Sequence, residues 1–326
     1  MGRRIARGRT TRPGRKALGR WLGLLGSAWL GAVCLGAPPL AAAPRPPAAD
    51  LPPAADLPGL TPAALRVETI ARRLLLDNAP HCTALAHDYG FKAAPSGPAS
   101  WGAAIVMVWP DGPAAAAGLR PGDLVRAANA VPWSADTAER ARFDAALAAA
   151  AADAHLVLEV ERDGRRHMVA LPGQPRCAAT VRLSARPMVN AAAVASTIEI
   201  GAGLERLLAD DAELAFTLAH EVAHVLLGHT VPSRRAALAT REARGAAEQE
   251  ADAFALRLMA AAGYDPGAAA GAWLKVADAA RPPLHRLLDL HGPYLATAER
   301  AAFLTREAAR LTVPIPPLLL AARRTR

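Results

Sequence analysis

The period of the apolar positions changes twice along the chain. From Thr61 to about Asp77 it is helical, with Thr61 as a cap and Pro62 at the first helical position. Between about Ala84 and Pro175 it shortens to the period of strands. AAIVMV (103–108) is an apolar strand, and HLVLEVERDGRRHMVAL (155–171) is a hairpin about Asp163-Gly164, a pair suited to a type I′ turn. PDGPAAAAGLRPGD (110–123) reads as turn, short helix and turn, and 137–154 as a helix. From Val181 the helical period returns, with helices expected over about 203–208, 211–227, 243–262, 267–280 and 297–311. The exception is RPMVNAAAVASTIEI (186–200), which reads as two short strands. The fold class is therefore α+β: a mainly helical domain with short edge strands, preceded by a small β-rich domain.

Ahead of these elements a basic stretch leads into an apolar run from Trp21 to about Ala37, then to small residues at 41–43. Residues 1–43 read as a secretory signal, with a retained membrane anchor as the alternative, since roughly 17 apolar residues is the lower limit of a span. The tandem repeat PPAADLPPAADLP (46–58) cannot form a core and reads as an extended spacer. The expected organisation is a linker over 44–58, a helical lead-in over 59–83, the β-rich domain over 84–176 and the helical domain over 177–326.

Composition sharpens this picture in three ways. Hydrophobic residues make up 52% of the 326 but aromatics only 4%, so the cores must be helical and built from small side chains. The formal charge of +9 suggests a polyanion binder until it is located. Eight of the basic residues precede Pro44 with no acid among them, which leaves the rest of the chain near neutral and removes nucleic acid from the expected partners. Once Cys34 leaves with the signal, Cys82 and Cys177 remain as an even pair, and in an exported protein that predicts a disulfide.

One motif carries the chemistry: His220-Glu221-Val222-Ala223-His224. Its helix is announced by Asp210 as N-cap, Glu213 three residues on and Gly228 past the end. Two histidines four apart share a helix face and reach one ion, while the glutamate points about 100° away, toward a water rather than the metal. This is the H-E-x-x-H pattern of a zinc hydrolase, with Glu221 as general base. A third ligand is needed. On the helix starting near Ala243, Glu248 and Asp252 fall inside the apolar stripe of Ala251, Ala255, Leu258 and Met259, whereas Glu250 points away from it. A carboxylate on a buried stripe is costly unless paired or bound to metal, so Glu248 is assigned as third ligand. Asp252 is assigned as acceptor for the outer ring N–H of a ligating histidine. His229, just after Gly228, reads as a hydrogen-bonding group at the helix end. His81, His87, His155 and His167 read as surface residues.

ELAFTLAHEVAHVLLGH followed by EQEADAFALRLMAAAGYDP resembles the HtpX/BepA-like peptidases, relatives of the CAAX prenyl proteases. The resemblance spans roughly residues 186–310. It implies a compact, mainly helical minigluzincin domain, one zinc ion per chain and endopeptidase activity, with the Glu of a Glu-x-x-x-Asp pattern, here Glu248 to Asp252, as ligand. It also implies an edge strand holding the substrate backbone, which maps onto Asn190, Ala191 and Ala192 within VNAAA. HGPYLATAER (291–300) resembles the family's His-Pro…Glu-Arg segment, in which the histidine of some members covers the open metal position. His291 is thus a candidate latch, although Gly292 intervenes before Pro293.

GPAAAAGLRPGDLVRAANAVPW resembles a bacterial PDZ domain. That implies a peptide added as a strand between a sheet edge and the helix at 137–151, with Tyr89, Gly90 and Phe91 as the carboxylate loop and an apolar, alanine-walled pocket. Together the two resemblances imply a zinc endopeptidase of the bacterial periplasm or cell envelope, membrane-associated if the N-terminal segment is retained. Misfolded or unassembled proteins, recognised through their C-termini, are the expected substrates. The rival is a non-catalytic envelope chaperone or scaffold, stabilised by zinc, whose PDZ-like domain binds clients. The intact Glu221 counts against the rival, because a structural site has no use for a base there.

Overall fold

The computed structural model describes residues 61–95, 102–280 and 297–311. The segments read as a signal or anchor (1–43) and as a spacer (44–58), and His291, lie outside them. No helix among the described residues is long and apolar enough to cross a membrane.

Helix α1 (Pro62–Asp77) starts as its sequence dictates: the Thr61 hydroxyl accepts from Ala64 N at 3.1 Å, with Pro62 in the first turn. Its buried stripe of Val67, Ile70, Leu74 and Leu75 belongs to the core of the helical domain, not to the β-rich one. Asn78, at its C-cap and 1% exposed, donates to Leu74 O and Leu258 O and so fastens α1 to a helix 180 residues away. A 3₁₀ turn (Ala79–His81) then leads to Cys82, which is disulfide-bonded to Cys177 across a Cα–Cα distance of 5.4 Å.

The β-rich domain is closed at its root by a two-stranded ribbon, β1 (Leu85–Asp88) antiparallel to β8 (Gln174–Cys177). Its main sheet is antiparallel throughout. The order is β2 (Phe91–Pro95), β3 (Ala103–Val108), β4 (Leu124–Ala128), β6 (His155–Arg162) and β7 (Arg165–Pro172), with the short β5 (Val131–Pro132) on β4. The β6–β7 turn has positive φ at both Asp163 (51°) and Gly164 (73°), as the Asp-Gly pair predicts. Helices α2 (Pro113–Ala116) and α3 (Thr137–Asp153) complete the domain. Its core comprises Ile105, Val125, Phe143, Leu156, Leu158, Val160 and Leu171.

A second sheet opens the helical domain: β9 (Thr180–Ser184), β10 (Ala191–Val194) and β11 (Thr197–Gly201), in the order β10-β11-β9. The β10–β11 hairpin is antiparallel and the β11–β9 pair is parallel. The two short strands expected within 186–200 are β10 and β11, although residues 186–190 are not part of either. A third strand, β9, lies upstream of the expected pair. A parallel partner needs no hairpin and leaves no turn signature, so alternation in five residues could not announce it. Asn190 also falls outside the edge strand; its carbonyl accepts from Gly201 N at 2.9 Å.

Helices α4 (Ala202–Leu207), α5 (Asp211–Leu226), α6 (Pro232–Ala237), α7 (Arg241–Ala261), α8 (Ala268–Ala280) and α9 (Thr297–Arg310) follow. Asp210 caps α5 through its carboxylate, which accepts from Ala212 N and Glu213 N. Glu213 does not complete a capping box. It pairs with Lys275 of α8 instead, a long-range contact that local sequence cannot specify. Leu204, Leu208, Leu214, Leu218, Leu256, Met259 and Leu304 form the centre of this core with α1.

The disulfide links positions 95 apart, tying α1 to the end of the β-rich domain. Loop-closure entropy for that span corresponds to about 4 kcal/mol, the enthalpic share being disputed. Urea unfolding of Cys177→Ser should therefore show a stability loss of up to about 4 kcal/mol, and mass spectrometry of the protein isolated without reductant should find both thiols blocked. An unchanged midpoint with free thiols would refute the bridge.

Candidate metal centre

The site is built on two helices that pack on one another and are rich in buried alanine. Ala215, Ala219 and Ala223 on α5, and Ala247, Ala251 and Ala255 on α7, are all buried at 6% exposure or less. Side chains this small let two backbones approach closely, which brings a carboxylate from one helix within reach of imidazoles on the other. His220 and His224, one turn apart on α5, point their Nε2 atoms at one place, 3.1 Å apart. Glu248 enters from α7, with Oε2 3.3 Å from His220 Nε2 and Oε1 3.5 Å from His224 Nε2.

These separations suit a metal ion. Ligand atoms on a tetrahedral zinc at about 2.0–2.1 Å lie about 3.3–3.4 Å from one another. His220, His224 and Glu248 each offer one donor atom, all within 4.8 Å of one another. Two nitrogens and a carboxylate form the donor set of a catalytic rather than a closed structural zinc site.

The electrostatics favour a cation there. Burial alone would depress His220, but the carboxylates of Asp252 and Glu248 outweigh it and raise its pKa to about 9. Burial likewise pushes Glu248 upward, yet hydrogen bonds from His220 and His224 hold it well below the usual carboxylate range. Asp252 is lowered against its own burial by His220 and by Arg300. Positive charge is stabilised at this point of the protein by two acids that water does not reach freely.

Asp252 is fully buried and lies 3.0 Å from His220 Nδ1 through Oδ1. Arg300 of α9 grips both its oxygens, from Nε and Nη2, at 2.7 Å each. The guanidinium also lies 4.0 Å over the Trp273 ring of α8, and its Nη2 is 3.4 Å from Glu248 Oε2. Arg300 was missed in the sequence reading, although a signal existed: it sits beside Ala301 and four residues before Leu304 on the buried face of α9. A cation on an apolar stripe calls for the same explanation as Glu248 did.

Glu250 does not join the cluster; its Oε2 lies 3.4 Å from His229 Nε2. His229 is 6% exposed, and its Nδ1 is 3.0 Å from His224 Nδ1. Burial and the neighbouring His224 push its pKa below the usual imidazole value. Of the other described histidines, His155 and His167 are exposed as expected, whereas His81 and His87 are half-buried, His87 with Nδ1 3.0 Å from Ala151 O.

Glu221 faces a cavity of about 410 Å³ that it shares with His224, Glu248, Thr230, Arg235 and Ala193. Ala193 belongs to β10, the end strand of its sheet. Along β10, Ala192 and Val194 are exposed while Ala191 and Ala193 are half-buried. The strand is pinned beside the cavity by Thr230, whose hydroxyl donates to Ala195 O at 2.8 Å.

The loop of Tyr89, Gly90 and Phe91 lies elsewhere, between β1 and β2. Gly90 has φ 71°, and a Cβ there would come within 2.7 Å of Gly112 Cα, so only glycine fits. The Tyr89 hydroxyl donates to Ala150 O of α3 at 2.6 Å. A cavity of about 380 Å³ beside the loop is lined by Phe91, Ala93, Leu147 and Leu156. Its wall is not the apolar one expected, because Arg72 of α1 and Arg176 of β8 also face it. Burial lowers Arg176, with Asp88 the only opposing influence.

Comparison with known proteins adds a family to this geometry. No curated protein matches the chain. Among solved structures, the PDZ domain of HtrA3, crystallised with the phage-derived ligand FGRWV, is 21% identical, covers 28% of this chain and 88% of its own, and has a TM-score of 0.24. The PDZ domain of EpsC from Vibrio cholerae is 16% identical, covers 34% of this chain and 97% of its own, with a TM-score of 0.21. The model of Peptidase family M48 matches residues 154–241, from β6 through α6 to the first residue of α7, a span that ends before Glu248. Over that stretch, which carries both candidate histidine ligands and Glu221, the chain is similar to peptidase family M48.

Proposed function

We propose that the protein is a zinc-dependent endopeptidase of the cell envelope, of the HtpX/BepA-like type, that selects substrates through a PDZ-like domain. The observation that supports it most is the convergence of His220, His224 and Glu248, the last two lining a cavity with Glu221 beside β10, an end strand among the described residues. His220, His224 and Glu248 would hold one zinc ion, which when bound supplies Lewis acidity toward a scissile carbonyl. Glu221, on the same cavity, takes the proton of the attacking water and returns it to the leaving amine. The substrate backbone adds to β10 along Ala191 and Ala192, with strand pairing fixing the register of the scissile bond. Asp252 and Arg300 hold His220 in the tautomer that leaves Nε2 free for metal.

An exported location fits the N-terminal basic and apolar run and the Cys82–Cys177 bridge, which needs an oxidising compartment. In the β-rich domain, β2 is an end strand with Phe91 and Ala93 facing Leu147 of α3 across a cavity. That groove takes a peptide C-terminus; its rim carries Arg72, Lys92 and Arg176 alongside Glu68 and Asp88, with Arg72 paired to Asp88 and Lys92 to Glu68.

His220→Ala and Glu248→Ala should purify without stoichiometric zinc, whereas Glu250→Ala should retain one equivalent by metal analysis. The reverse order for the two glutamates overturns the ligand assignment. Glu221→Gln should keep its zinc and lose cleavage of an unfolded protein by at least about a hundredfold. Zinc retained with no cleavage in either Glu221→Gln or wild type favours the scaffold reading.

Leu147→Asp, on the groove side of α3, should raise KM several-fold for a peptide with a free C-terminal carboxylate. Cleavage of the same peptide amidated should change little. Equal KM values for the two peptides in the wild type would remove the recognition role.

A further inference from the structure

Helix α5 ends in a turn that folds the chain back onto its own last residues. Gly228 takes φ 74°, its N–H donates to Val225 O at 3.1 Å, and the N–H of His229 donates to His224 O at 2.9 Å. This bonding pattern is a Schellman motif, in which the residue after the glycine packs on the side chain five before it, usually as an apolar pair. Here the pair is two histidines, with ring centroids 5.1 Å apart and Nδ1 atoms 3.0 Å apart. On its other side His229 meets Glu250 of α7, Nε2 to Oε2, at 3.4 Å.

Two imidazole nitrogens facing each other share a single proton. His224 turns Nε2 toward His220 and Glu248, where a lone pair is needed for a cation, so its own proton is on Nδ1. Nδ1 of His224 therefore donates and Nδ1 of His229 accepts. His229 then carries its proton on Nε2, facing a carboxylate that can accept it. Each link admits one tautomer, and all of them agree.

We propose that His229, oriented by Glu250, is the positioning residue for His224, as Asp252, oriented by Arg300, is for His220. The proposal rests on the reading of His220, His224 and Glu248 as a metal site. Helix α7 then supplies three carboxylates with three tasks: Glu248 to the centre, Asp252 to one histidine, and Glu250 to the support of the other. A neutral imidazole behind His224, rather than a second carboxylate, adds no further negative charge at the centre and preserves its Lewis acidity.

The test is zinc affinity of the full chain by chelator competition, with melting of the zinc-free protein measured in parallel. His229→Leu keeps an apolar fold-back contact and should weaken zinc binding about 10–100-fold, with little change in zinc-free melting. His229→Gln, whose amide oxygen can accept from Nδ1, should recover most of that loss. Glu250→Ala should weaken affinity by a smaller factor while still binding one equivalent. Histidine ¹⁵N spectra of the zinc-loaded wild type should show His224 protonated at Nδ1 and His229 at Nε2, and do not depend on any variant folding. Unchanged affinity in His229→Leu, no recovery in His229→Gln, or a proton on Nδ1 of His229 overturns the positioning role alone. A wild type that takes up no zinc overturns the metal-centre reading and this one with it.

Discussion

A carboxylate with no contact to solvent sits at the junction of the helical domain, and much of the rest is arranged to keep it ionised. Asp252 would be prohibitively costly to bury alone. Arg300 matches both its oxygens and His220 supplies a third contact, while Trp273 covers the guanidinium. These four residues come from α5, α7, α8 and α9, so the pair locks four helices in one arrangement. Buried ion pairs contribute little net stability compared with apolar packing, but breaking one by removing a partner costs about 3–5 kcal/mol. Their contribution here is to geometry: with Asp252 fixed, an ionised carboxylate is held 3.0 Å from His220 Nδ1.

The thin composition of the chain becomes intelligible around that centre. With few aromatics to fill space, α5 and α7 each bury several alanines, small enough for backbones to approach closely. The larger apolar residues of this core, such as Leu214, Leu218 and Leu256, lie alongside the α1 stripe of Val67, Ile70 and Leu74. Helix α1 thus belongs by packing to the helical domain although the whole β-rich domain separates them in sequence. Two of its polar residues face the other way, Arg72 pairing with Asp88 and Asp111 and Glu68 with Lys92, while Arg66 pairs with Glu205 and Asp211 of the helical domain. One helix therefore joins the two cores, and the Cys82–Cys177 bridge closes the β-rich domain between its two ends.

The two cavities share a principle. Each lies beside the end strand of a sheet, β10 at the metal centre and β2 in the β-rich domain. An unpaired strand edge is a liability in most proteins and a peptide-binding device where a pocket accompanies it. Both edges here are short and bordered by charged or polar side chains, which restrains edge-to-edge association.

Local features were legible from sequence alone. The Thr61 and Asp210 caps, the Asp163-Gly164 turn and the spacing of His220 and His224 depend on residues within one or two turns of each other. Period and cap chemistry therefore fix them. Glu248 and Asp252 could be singled out because a carboxylate on an apolar stripe demands a partner. What the sequence could not name was the partner. Arg300 for Asp252, Lys275 for Glu213, β9 for β11 and Asn78 for Leu258 are contacts across tens to nearly two hundred residues. No local pattern encodes them, because the choice among available polar groups is made by which helices pack side by side. The same holds for His229 and Glu250: the sequence places a histidine after a helix-ending glycine, and only the packing of α5 on α7 decides what its ring meets.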